Sequence, residues 1–173
     1  MNPGSRQTSD GLGRAFLWLA ALGMLVGLTL LFQSAQRSSG GLVRSSNDSG
    51  RAMVVLQRDR SGHYVAEGQI NGQVVNFLVD TGATDVAIPE QTARTLGLQF
   101  GPQVAVMTAA GPVRAWRTRL DRVSVGSVSL DNVRATITRA PMEEVLLGMS
   151  FLQYFTILQQ GDELIIESGG TSG

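Results

Sequence analysis

The pattern of apolar and polar positions divides the chain into an apolar run, a polar tether and a region of short alternating segments. From Ala15 to Phe32 the sequence reads AFLWLAALGMLVGLTLLF, eighteen residues without a charge between Arg14 and Gln33. The run is apolar on every side, unlike one face of a soluble helix. About 17 such residues are the lower limit for crossing a bilayer. Trp18 and Arg14 suit an interfacial boundary. A cleaved signal peptide would have an apolar region of about 7–15 residues ending at a small-x-small site, which Gln33-Ser34-Ala35 matches poorly. The expectation is an N-terminal tail at 1–14 and an uncleaved transmembrane helix at 15–32. Arg6 and Arg14 on one side balance Arg37, Arg44 and Arg51 on the other, so the positive-inside count leaves orientation open. The short tail is the easier part to leave in the cytoplasm. The rest of the chain is then expected outside, which in a bacterium means an inner-membrane protein with a periplasmic domain.

Residues 33–51 are rich in Ser and Gly, with Ser38–Gly41 and Ser45–Gly50 as the clearest stretches. Such composition cannot bury enough surface to order itself, and a flexible linker is expected. The folded domain is expected over 52–168, with a short tail at 169–173. Met53–Gln57, Tyr64–Ile70 and Gln73–Val79 read as strands, the last two joined by an Asn71-Gly72 hairpin turn. Pro89–Leu96 reads as a short helix stopped by Gly97. Strand-like runs follow at Val104–Thr108, Val113–Thr118, Arg122–Val125, Val128–Leu130 and Val133–Thr138. Met149–Tyr154 suggests a second short helix and Glu163–Glu167 a last strand. Many short strands with frequent turns predict a mainly β domain, a small barrel or sandwich with one or two short helices.

Composition narrows the chemistry. The 14 basic and 14 acidic residues cancel, so no global field favours nucleic acid as a partner. Cys is absent and every basic residue is Arg. Thiol nucleophiles, Cys-ligated zinc, a Lys Schiff base and a Walker-type phosphate loop are thereby excluded. The single His63 cannot build a multi-His metal site. No metal and no cofactor are expected, which leaves carboxylates, hydroxyls and water.

The informative segment is Val74–Pro89, where an apolar strand runs into Asp80-Thr81-Gly82-Ala83 and a second apolar run follows. An acid at such a junction is costly unless paired or hydrogen-bonded. About 65 residues on, Leu146-Leu147-Gly148 precedes the second helix. Each motif alone is weak. Together, at this separation, they make the chain resemble the retropepsin-like aspartic proteases, most closely the single-domain bacterial type with an N-terminal membrane helix. The resemblance covers most of Met53–Glu167. It implies a closed acid-protease β-barrel, Asp80 as the catalytic acid, and Thr81, Gly82 and Ala83 as its loop. It further implies that Leu146, Leu147 and Gly148 support the loop, and that Thr108-Ala109-Ala110-Gly111 is the tip of a flap. The viral members carry Asp after the Ala and Arg after the later Gly as an ion pair; Thr84 and Met149 stand there instead.

Peptide hydrolysis without metal or covalent nucleophile needs one carboxylate to deprotonate water and one acid to protonate the leaving nitrogen. Two carboxyls held close share a proton and supply both roles. This chain has one Asp-Thr-Gly, so a homodimer is expected, with Asp80 meeting its copy across a two-fold axis. The expected function is an aspartic endopeptidase acting on polypeptide substrate. The alternative is a catalytically silent peptide-binding or dimerisation module at the membrane, and cutting of its own linker is a further possibility. His63 is expected at a strand edge, Glu143-Glu144 in a surface loop, and Arg114, Arg117, Arg119 and Arg122 on a solvated strand face. Asp85 is left between the cleft and a turn-stabilising role, and Trp116 between substrate contact and core packing.

Overall fold

The computed structural model describes residues 24, 41, 44–48, 51–108 and 111–169. Two units separate, Met1–Ser39 and Gly40–Gly173, and the second carries the architecture below. Apart from Met24, the expected membrane span at 15–32 lies outside the described residues, as do the tails at 1–14 and 170–173. Among the described residues no helix is long and apolar enough to cross a membrane.

The elements run β1 (Arg44–Asp48), β2 (Arg51–Gln57), β3 (Val65–Ile70), β4 (Gln73–Val79), β5 (Val86–Pro89), α1 (Glu90–Thr95), β6 (Gln103–Thr108), β7 (Gly111–Val125), β8 (Val128–Thr138), β9 (Val145–Leu147), α2 (Met149–Leu152), β10 (Phe155–Gln160) and β11 (Glu163–Ser168). One sheet has the order β3-β4-β9-β5-β8-β7-β6, and β3 also pairs with β7. That extra pairing closes β3, β4, β9, β5, β8 and β7 into a ring, so the domain is a mainly β, six-stranded closed barrel with few helices. β6 pairs only with β7 and stands outside the ring.

Closure occurs at Gln69↔Ser124 and Ile70↔Val123. Gly68 makes it possible, because a Cβ there would run into the Ser124 carbonyl and the Phe77 ring. The Asn71-Gly72 turn adopts positive φ at both residues, 50° and 82°, as a two-residue hairpin requires. Phe77, Ile70, Ile88, Leu120, Ile137 and Leu147 fill the barrel and are fully buried. Each such side chain contributes about 1.5–3 kcal/mol through removal from water.

A second sheet, β1-β2-β11-β10, packs its apolar side on this core. Its register sets Leu56 opposite Leu164 and Val54 opposite Ile166, and all four are buried while their neighbours along each strand are more exposed. The linker expected over 33–51 therefore ends early. Arg44–Asp48 pairs with β2 from Arg44↔Val55 to Asp48↔Arg51. An edge strand needs only backbone partners, so its polar composition gave no sign of it. β7 is one 15-residue strand rather than two, because its first half pairs with β6 and its second with β8. β10 was not expected at all; most of its residues face solvent.

Ser150 joins three elements. Its buried hydroxyl accepts from Val86 N of β5 at 2.9 Å and donates to Arg134 O of β8 at 2.7 Å, while it stands on α2. Ser150→Ala leaves two backbone groups without this partner and is expected to lower stability by about 1–3 kcal/mol. Urea unfolding should show a lower midpoint at unchanged slope.

Candidate active site

The acid's position follows from the way β9 threads between β4 and β5. β9 pairs in parallel with β4, Phe77↔Val145 through Val79↔Leu147, and antiparallel with β5 at Ala87↔Leu146. The chain leaves β4 at Asp80, passes over the end of β9 and returns as β5 on its other side. Asp80 N donates to Leu147 O at 3.2 Å, Met149 N to Ala83 O at 2.8 Å, and Ser150 N to Thr84 O at 2.9 Å. Within the loop, Gly82 N donates to Asp80 Oδ1 at 2.8 Å and Ala83 N to Asp80 O at 3.2 Å. The carboxylate is thus oriented by its own turn.

Gly148 is where the two segments touch. A Cβ there would lie 2.7 Å from Ala83 O and nearer still to Asp85 O. Only a residue without a side chain admits the loop at this height. The structure thus brings Asp80, Gly82 and Ala83 together with Leu146, Leu147 and Gly148. Thr81 and Gly82 form the exposed apex.

A cleft of about 710 Å³ opens over Asp80. Loop residues Gly82 to Asp85 form one side, with Ala87 and Leu146 beside them. Ala105, Val106 and Met107 of β6 form another, and Thr136, Thr138, Ala140 and Met142 complete it. The β6–β7 hairpin therefore borders the cleft. Thr108 pairs with Gly111 at its end, and Ala109 and Ala110 lie outside the described residues. Met107 is 78% exposed near that end.

Asp85 lines the cleft. Its Oδ1 is buried and sits 3.4 Å from Arg134 Nη2, but accepts no hydrogen bond of good geometry. Arg134 and the two cleft threonines had no local signal in the sequence. Their place follows from β5 and β8 pairing in parallel, Val86↔Ala135 through Pro89↔Thr138. At the end of β8, Arg139 and Arg94 both donate to Glu90, at 2.6 and 2.7 Å. These bonds, Arg139's first, hold the Glu90 carboxyl below its usual range.

Of the remaining residues, His63 lies in a turn before β3 rather than at a strand edge, and the β7 arginines fall where the sequence suggested. His63 is exposed in a turn closed by Asp59, which accepts from the Ser61 hydroxyl and the His63 backbone. Arg114, Arg117, Arg119 and Arg122 are all exposed on β7. Trp116 packs edge-on against Phe100 at 5.4 Å and beneath Arg139, so it is a packing residue.

An Asp-Thr-Gly loop laid over an apolar-apolar-Gly strand, in a closed barrel with a bordering hairpin, defines the class of single-lobed acid-protease folds. The comparisons agree. Residues 66–154 match the family model described as "gag-polyprotein putative aspartyl protease". The crystal structure of a retropepsin-like aspartic protease from Rickettsia conorii superimposes with a TM-score of 0.58 at 25% identity, over 73% of this chain and 94% of that one. An uncharacterized protein from Sinorhizobium sp., encoded in the cobV 5' region, is 31% identical over 90% of this chain and 72% of its own length. The uncharacterized protein RP867 of Rickettsia prowazekii is 28% identical over 65% of this chain, which spans 50% of that relative's length. The chain belongs to the retropepsin-like aspartic protease family.

Gly148→Ala tests the contact that seats the loop. It is expected to cost about 1–3 kcal/mol, as overpacking does, and to shift the backbone amide resonances of Asp80–Asp85 more than those of the distant β10–β11 sheet. Urea unfolding and two-dimensional NMR would measure both.

Proposed function

We propose that the chain is an aspartic endopeptidase that works as a homodimer, with one Asp80 from each subunit forming the catalytic pair. The observation that carries this reading is the carboxylate inventory of the cleft. Two acids line it, Asp80 and Asp85, and Arg134 engages Asp85. Only Asp80 remains for proton transfer, and a shared-proton pair needs a second carboxyl. The exposed Thr81-Gly82 apex supports a two-fold partner there, since it presents the loop outward.

In that assembly one Asp80 carboxylate takes a proton from water as the water attacks the peptide carbonyl. The protonated partner then gives a proton to the leaving nitrogen. The Gly82 N–H on Oδ1 holds the carboxylate in place through the exchange. The β6–β7 hairpin acts as the flap, closing over an extended peptide and excluding water. The uncharged run at 15–32 supports anchoring in a bacterial inner membrane, with the domain on the periplasmic side. Two copies tethered to one surface meet at raised effective concentration.

The test is cleavage of a diverse peptide library by the full-length chain from pH 4 to 8. Asp80→Asn is expected to abolish turnover, by at least about 10³-fold, with the circular dichroism spectrum and unfolding midpoint retained. Activity should rise faster than linearly with protein concentration until the dimer saturates. Cleavage that survives Asp80→Asn would overturn the reading. Peptide binding without any turnover would replace it with a silent peptide-binding module.

A further inference from the structure

We propose that the cleft continues into an anion-selective subsite formed by Arg117, Arg119 and Arg134, which favours peptides bearing an Asp or Glu near the bond to be cut. This deepens the endopeptidase reading and rests on it. A second groove of about 560 Å³ is lined by Thr84, Asp85, Arg117, Arg119 and Arg134, among others. Thr84 and Asp85 also line the cleft over Asp80, so the two spaces adjoin along the loop that carries the acid.

The register brings the three cations together. Arg119 and Arg134 are directly opposite each other on β7 and β8, and Arg117 is opposite Thr136, itself a cleft residue. Like charges directly opposite on a sheet repel. Their partners do not offset this. Arg119 Nη1 bonds the neutral Asn132 at 2.8 Å, and Arg134 has its long contact to Asp85. Among the described residues the Arg117 guanidinium has no hydrogen bond or ion pair. Asp121, which borders an adjoining hollow with Arg117 and Arg119, is the other acid nearby. Three guanidinium groups thus line the groove with one carboxylate, Asp85, and Asp121 stands in the hollow beside it. Arg122, by contrast, is matched on the open sheet by Asp131 and Ser129. A solvated face explains Arg122, whereas the converging three suit a ligand carboxylate, which the planar guanidinium donors grip in pairs.

Strand spacing gives the reach from the groove into the cleft. Arg134 precedes Thr136 and Thr138 on β8, an offset of ~7–13 Å at ~3.3 Å per residue, or about two to four residues of an extended peptide. In a two-fold dimer the groove recurs at both ends of the cleft, so an acid on either flank can be read.

The experiment is library digestion by the full-length chain, with cut sites mapped by mass spectrometry. Asp and Glu should be enriched about two to four residues from the cut, following that spacing. The double variant Arg117→Gln/Arg119→Gln should erase the enrichment. For matched peptides it should lower kcat/KM on the acidic one roughly tenfold or more, through KM, as loss of a charge-assisted pair predicts. The neutral peptide should be cut as before. Cutting with no acidic enrichment, or enrichment that the variant leaves intact, overturns the subsite while leaving the endopeptidase reading in place. If nothing is cut, that reading fails, and the same library is passed over the immobilised full chain. Retention of acidic peptides that the double variant loses upholds the subsite, and equal retention overturns it.

Discussion

The structure depends on one backbone crossing, that of the Asp80 loop over Gly148. β9 lies between β4 and β5, so the loop joining those two strands must pass across its end. Three main-chain hydrogen bonds, from Asp80, Met149 and Ser150, hold the two segments together. A net contribution of about 1 kcal/mol per bond makes this a modest force. Its value lies in position, because the bonds fix the height and tilt of the carboxylate relative to the barrel. The same crossing leaves no space for a Cβ at Gly148, so an apolar strand must end in glycine there.

From that crossing the cleft follows with little further specification. Parallel pairing of β5 with β8 sets Thr136 and Thr138 into the wall of the cleft that Asp80 also lines. β7 is longer than its barrel partner β8 and carries β6 out of the ring as a hairpin. The cleft is therefore the space between a closed barrel and a strand pair that the barrel does not absorb. The buried face of β2 and β11 covers the core without touching this geometry, since none of their residues line the cleft.

Much of this was legible in sequence where the signal is local. β-branched and aromatic residues marked β4, the Asn71-Gly72 pair gave its turn with β3, and Gly97 marked the end of α1. The Asp80 loop and the Leu146-Leu147-Gly148 strand were readable only as a pair, since each is common alone. What escaped was non-local. β1 is polar in sequence and β10 mostly faces solvent, so neither carries a hydrophobic period, and both exist because a neighbouring strand offers its edge. Arg134 became part of the site through register with Arg119 and contact with Asp85, and nothing adjacent to it in the chain encodes that.

The departure from the viral pattern then has a physical sense. Where viral relatives pair an Asp after the Ala with an Arg after the Gly, this chain has Thr84 and Met149, whose backbones bond the crossing instead, Met149 N to Ala83 O and Thr84 O to Ser150 N. The ion pair stands one residue further along the loop, from Asp85 to Arg134 on β8. Arg134 is 60% exposed, and such a pair is worth only about 0–1 kcal/mol. Stability is a poor reason to keep it. What it does is add a side-chain contact from the cleft loop to the barrel wall, beside the main-chain bonds that already join the loop to α2, with a cation at the boundary between the cleft and the arginine groove. The buried Ser150 hydroxyl, bonded to both Val86 N and Arg134 O, couples the end of that loop to the same stretch of β8 more strongly than the ion pair does.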